Sequence, residues 1–330
     1  KTKNNQTDND DLYKIYWEDT KMEFSETAGT AGGSLKALFE VRDGDNLENF
    51  KGKVTKADSY SLTVENISID NIKSLNLPDK DGKITVNNIS YSYDSWEAQV
   101  DAQGNIKSVT FNLSKDKAIA DPEKTVAEGY LLNAGSAINA RGIPYYMTQL
   151  NEFVRNFSEM FNQIESKGQN LNGDTPPTFF EAITNTAKVY DFSESEAYSK
   201  LPDGQTATIN SSSNTYYRMT AANFSVNKDV MNDVSLFATS TDYVKTDSCD
   251  IVDELKKLQS EKTVYRGDKA ESFLETIISN VSVDTEKAET YNKLYSNLEQ
   301  TIANQRTSVS GVDEDEEALN LVKFQYSYNM

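Results

Sequence analysis

Histidine is absent from this sequence, and cysteine occurs once. The first absence removes imidazole acid–base chemistry, His-activated Ser or Cys nucleophiles and HExxH zinc sites together. The second removes an intrachain disulfide and any thiolate metal cage. The one thiol, Cys249, stands in TDSCDIVDELKKLQ beside Asp247 and Asp250. Negative neighbours oppose a thiolate, so Cys249 is expected to be an inert residue at a helix start.

Positive charge is also scarce: 33 Lys and Arg face 52 Asp and Glu, for a formal net charge of -19. Nucleic-acid affinity rests on Lys and Arg displacing counterions, and anionic membrane surfaces ask for the same sign. Neither nucleic acid nor a membrane is expected as a partner. No apolar run approaches the roughly 20 residues of a membrane span, and no signal peptide is visible. Neither GxGxxG nor GxxxxGK[ST] occurs, so nucleotide binding has no support. With so many carboxylates, no pair of them is informative. The reading is non-enzymatic, with no catalytic residue, no cofactor and no metal.

Against these absences stand 18 Tyr and 14 Phe, too many aromatics for wholesale disorder. A chain of 330 residues has room for two or three domains at roughly 100–200 residues each. The mean hydropathy of -0.64 suits an elongated protein with a large share of surface.

Residues 1–10 carry no apolar side chain and read as a frayed end. The stretch 11–24 alternates as a strand or hairpin. Leu35, Leu38, Phe39 and Arg42 recur at helical spacing after Ser34 as N-cap, and Gly44 ends that helix. From 51 to 141 the texture is strand-like, rich in Val, Ile, Thr and Tyr. Asp81-Gly82 and Gly104-Asn105 are expected to turn two hairpins. Helical spacing returns at 143–166 through Ile143, Met147, Leu150, Val154, Phe157, Phe161 and Ile164, with Pro144 in the first turn. Residues 186–226 again favour strands. A near-3.5 spacing then runs from Phe273 through Ile277, Val281, Tyr291, Tyr295, Leu298 and Ile302, interrupted at Asp284 as an N-cap.

The expected class is therefore α+β, multidomain and elongated: a discontinuous long-helix bundle with β-rich inserted domains. Its parts are an N-terminal strand segment and first helix (1–50), an inserted β-rich domain (51–141) and a central helix (142–183). A small β-rich region (184–247) and C-terminal long helices (248–330) complete it.

Two acidic stretches invite a metal reading. LPDKDGKITV (77–86) places Leu77 at the first ligand position of a calcium loop, so that motif fails. SVSGVDEDEEALNLVKFQYSY (308–328) lacks the alternating ligand order. Its Asp313 and Glu316 have capping-box spacing, and acids in a first turn suit the positive end of a helix dipole. These acids are expected to start a helix whose apolar face packs in a bundle.

The same stretch, RTSVSGVDEDEEALNLVKFQYSY (306–328), resembles the C-terminal signature of the flagellar hook-associated protein 1 family, the hook–filament junction proteins. The matching positions are Ser310, Gly311 and Val312, then Asp315, Glu316 and Glu317, then Leu321, Phe324, Gln325 and Tyr328. GGSLKALFEVRD (32–43), IPYYMTQLNEFVRNFSEMFN (143–162) and TFFEA (178–182) are similar to further family segments, in the same order. The strand-rich stretch 51–141 has no counterpart.

The resemblance implies a structural subunit, exported through the flagellar channel to an extracellular place on the bacterial flagellum. It also implies three kinds of partner: the hook protein, the next hook-associated protein, and the export machinery with its chaperone. Self-assembly in that family uses terminal helical segments, which implies that this chain is a fragment lacking both and is monomeric. Two other readings stand beside it. One is a surface adhesin or ligand-binding module using Tyr60, Tyr91, Tyr93 and Trp96 of the β insert. The other is an acidic hydrolase with two convergent carboxylates in a cleft.

Overall fold

The computed structural model describes residues 2–3, 13–14, 18–20, 32–79, 82–115, 118–122, 126, 128–135, 137–184, 186–244, 248–262, 265–311 and 313–330. Trp17 and Val312 lie outside them. The chain is α+β, and its contacts divide it into two compact units, residues 1–273 and 274–330.

Two short strands, β1 (Thr2–Lys3) and β2 (Tyr13–Lys14), pair antiparallel at the start. The first helix, α1 (Gly33–Asp43), begins after Gly32 rather than at Ser34, and no side chain caps it. Leu35 and Leu38 are exposed, so the spacing that identified this helix does not mark a buried face.

Six strands then close into an antiparallel barrel: β3 (Lys51–Asp58), β4 (Ser61–Glu65), β5 (Gly82–Val86), β6 (Ile89–Val100), β7 (Ile106–Leu113) and β8 (Leu131–Ala134). Round the barrel the order is β3-β4-β7-β6-β5-β8, and β8 returns to β3. Closure leaves no free edge among the six strands. Alternate residues fill the interior, among them Val54, Leu62, Ile84, Tyr93, Trp96, Phe111 and Leu132. A bulge between Tyr93 and Ser95 switches the inward set of β6 from Tyr91 and Tyr93 to Trp96, Ala98 and Val100.

The turns only partly follow the sequence reading. Gly104 does take a positive φ of 78°, and Asn105 does not. Asp81 lies outside the described residues, and Gly82 is the first residue of β5, opposite Tyr93. A Cβ there would sit 2.1 Å from the Tyr93 ring, so the glycine makes room for the aromatic beside it. The β5–β6 hairpin turns instead at Asn87 and Asn88, both at positive φ (49° and 60°), as a two-residue primed turn requires.

The chain enters and leaves the barrel through one narrow stem. The Gly142 N–H donates to the Gly44 carbonyl at 2.9 Å, and the Asn46 N–H to the Ala140 carbonyl at 2.9 Å. The Asp45 carboxylate accepts from the Ile138 N–H across the same stem.

Beyond it runs α2 (Ile143–Glu165), with Pro144 in its first turn. One side carries Phe153, Phe157 and Phe161. Phe153 stacks on Tyr265 and Phe273, and Phe161 meets Phe179 and Phe180. Ile164 packs with Ile251 and Leu258 of α5 (Asp250–Ser260). Cys249 is exposed at the head of α5.

The opposite side of α2 is polar and buried: Asn151, Glu152, Arg155, Ser158, Glu159, Asn162 and Glu165. Arg155 donates to the carbonyls of Lys73, Leu75 and Met219 at 2.9, 2.7 and 2.8 Å and lies over the Tyr217 ring. The Tyr217 hydroxyl in turn donates to the Leu77 carbonyl at 2.7 Å, and its ring meets Trp96 edge-on.

Residues 186–226 are less strand-like than their composition suggests. They hold the helix α3 (Ser193–Ser199), the strand β10 (Ala207–Asn210) and a 3₁₀ turn at Tyr216–Arg218. β10 pairs with the end of β6 and extends the barrel's sheet. A second small ribbon joins β9 (Phe180–Ala182) to β11 (Phe224–Val226), followed by α4 (Lys228–Asn232) and a 3₁₀ turn at Val234–Leu236.

Candidate functional site

Of the residues that carry the resemblance, Ser310 closes one helix, Asp315, Glu316, Glu317, Leu321, Phe324, Gln325 and Tyr328 lie on the next, and Gly311 stands between them. α6 (Ala270–Ser310) is one helix of 41 residues, roughly 60 Å long at 1.5 Å per residue. It runs through Asp284, which therefore caps nothing. Its stripe residues Tyr291, Tyr295, Leu298 and Ile302 are exposed.

Gly311 ends it, its N–H donating to the Thr307 carbonyl at 2.6 Å. A Cβ on Gly311 would lie 2.2 Å from that same oxygen, so only glycine fits.

α7 (Glu314–Tyr328) follows, with Asp313 as its N-cap. The Asp313 carboxylate accepts from the N–H groups of Asp315 and Glu316 at 3.0 and 3.4 Å. Asp315, Glu316 and Glu317 then sit in or beside the first turn, where the helix dipole favours them. The acids open a helix, as their spacing implies. Among the described residues, no group of three or more Asp, Glu or Cys is placed to hold a metal ion.

The expected packing of α7 is not found. Leu321, Phe324 and Tyr328 are 62%, 74% and 91% exposed, and Gln325 is exposed beside them. A helix forms here through its cap and its acidic first turn, without burying its apolar side chains.

The aromatic side chains assigned to an adhesive surface are placed differently. Tyr91, Tyr93 and Trp96 are buried in the barrel, and Tyr60 alone of the four is exposed. Period-2 alternation brings an aromatic into a barrel as readily as onto its surface, and closure of the sheet made these three interior.

A cleft of about 770 Å³ opens beside the C-terminal half of α2. Asn162 organises one wall. Its side chain accepts from the Phe180 N–H at 2.9 Å and donates to the Phe180 carbonyl at 2.8 Å, as a neighbouring strand would. It also donates to the Tyr216 hydroxyl at 2.8 Å. With Phe180 fixed, alternation sends Phe180 into the phenylalanine cluster and Glu181 into the cleft.

Glu181 is 6% exposed. Among the described residues its carboxylate accepts no hydrogen bond and joins no ion pair. Burial pushes it up from the ordinary carboxylate range, and the charge of Asp229 adds to that, while Lys228 opposes it. Glu159, also lining the cleft, is matched by Lys73 at 2.5 Å. Asp191 is occupied by the N–H and hydroxyl of Ser193.

The sequence offered only a weak signal for this site. In TFFEA (178–182) a lone acid alternates with apolar neighbours on a strand of three residues, too short to stand out.

No family model matches the chain, and no curated protein matches it. No helix among the described residues is long and apolar enough to cross a membrane.

Proposed function

We propose that this chain is a structural subunit of the bacterial flagellum at the hook–filament junction, and that it acts without catalysis. The observation that supports the reading best is the geometry of the signature region. A 41-residue helix ends at a glycine that nothing larger could replace, and a capped second helix follows. The second helix presents Leu321, Phe324 and Tyr328 outward. Apolar side chains held outward on a formed helix are what an assembling subunit needs, because their burial against a neighbour drives association.

On this reading the chain is an elongated, multidomain protein whose discontinuous long-helix body carries the barrel as an insertion between α1 and α2. Its partners are the hook protein, the next hook-associated protein, and the export machinery with its chaperone; its place is extracellular. The adhesin alternative draws no support from Tyr91, Tyr93 and Trp96, which the barrel buries.

Two measurements on the source bacterium test the proposal. Gold-labelled antibody against the chain should decorate a single band between hook and filament. Deleting the gene should leave cells with hooks and no filaments. Label along the cell surface, or normal filaments in the deletion strain, would overturn it.

A further inference from the structure

We infer that the cleft around Glu181 is a binding site for a small organic ammonium ligand of polyamine class, a role separate from the junction proposal. The cleft volume of about 770 Å³ falls within the roughly 300–1,000 Å³ of small-molecule sites. Glu181 is the observation that calls for a ligand. It is nine-tenths buried and lines the cleft, yet among the described residues no group satisfies its carboxylate. The side chain is held in the cleft wall with its carboxylate facing the open cleft, so a cation arriving there would supply its charge-assisted hydrogen bond.

The wall that carries Glu181 is fixed in place. Asn162 holds both backbone groups of Phe180, which fixes the strand that carries Glu181.

The surroundings select a cation with an apolar body. Asp229 and Lys228 line the same cleft; the charge of Asp229 raises Glu181 and that of Lys228 opposes it. Glu159 brings its own counterion in Lys73. The uncompensated charge of the cleft is therefore negative. A divalent metal ion fits poorly, since it takes six or more oxygen ligands or a near-complete water shell. No group of three acids is placed for it among the described residues. Pro176, Pro177 and Val189 line the same cleft and offer contact for methylene groups between ammonium centres. Each ammonium centre donates up to three hydrogen bonds, and a polyamine carries more than one, so separate centres can serve Glu181 and Asp229 along the cleft.

Titration calorimetry of the whole chain with spermidine, at physiological ionic strength, tests this. A parallel titration uses magnesium chloride. One saturable site is expected for spermidine, and Glu181→Gln should weaken it by about tenfold or more, the loss of a charge-assisted hydrogen bond. Far-ultraviolet dichroism should show that variant folded as the parent. Asp229→Asn, at an exposed position, should weaken binding several-fold and guards against a folding defect in the first variant. A chain of charge -19 attracts polyamines diffusely. Binding that never saturates at one site, that both variants leave unchanged, or that magnesium matches at equal concentration would overturn the inference.

Discussion

Gly44 and Gly142 meet back to back where the barrel joins the helices, with the Gly142 N–H donating to the Gly44 carbonyl at 2.9 Å. A Cβ on Gly44 would lie 2.6 Å from the Ala140 carbonyl oxygen, and one on Gly142 would lie 2.6 Å from that of Val41. Backbone cannot move aside as a flexible side chain can. Gly44→Ala and Gly142→Ala should each destabilise the chain by about 3 kcal/mol or more, the upper range of overpacking. The double variant should cost less than the sum, since both remove one contact. Denaturant titration of the four proteins decides this; purely additive costs would mean that the glycines act independently.

Arg155 joins the barrel to α2 by donating to three carbonyls at once. Arg155→Met keeps most of the stem's volume and leaves the Lys73, Leu75 and Met219 oxygens without that donor. The expected loss is roughly 3 kcal/mol or more, because buried acceptors stripped of a partner retain their desolvation cost. Hydrogen exchange should rise first at residues 73–77. A variant as stable as the parent would show that Arg155 does not hold the two parts together.

Glu165 makes stability depend on pH. It is 2% exposed, and burial pushes its carboxyl up to about 7, against the lowering effect of the Ala238 N–H that it accepts. Burial likewise lifts Asp45 to about 6. The folded state keeps protons on these two groups that the unfolded chain releases, so the contribution of Glu165 is fully present below about 4.5 and is lost as pH rises through 7. Glu165→Gln should flatten the slope and remove roughly 2 kcal/mol of the pH-dependent loss. Chemical denaturation at pH 5 and pH 8 measures it, and an unchanged slope would assign the dependence elsewhere.

Phe324 and Leu321 separate assembly from folding. Both are exposed on α7, so Phe324→Ser and Leu321→Ser should change stability by only about 0.5 kcal/mol. On the proposed reading, the same variants expressed in the deletion strain should fail to restore filaments. Variants that restore full motility would remove these side chains from any assembly surface.

Local chemistry was legible in the sequence wherever a short segment decides its own state. Asp313 caps α7 because a carboxylate followed by acids satisfies a helix start whatever surrounds it. Gly104 turns its hairpin because few other residues tolerate that φ. The strand texture of 51–141 and the long stripe after Phe273 were visible as periodicity, and the lack of histidine excluded whole classes of chemistry. Which face of an element is buried was a different matter, because burial depends on what arrives from elsewhere in the chain. The apolar spacing of α2 located one face, yet its polar face is buried too, because Lys73, Leu75, Met219 and Ala238 bring partners from distant segments. Tyr93 and Trp96 became core when six strands closed, a pairing between residues far apart in sequence. Glu181 became a candidate site only when Asn162 fixed the strand carrying it. Tertiary structure decided these points because burial and partnership are properties of pairs, and a sequence lists residues one at a time.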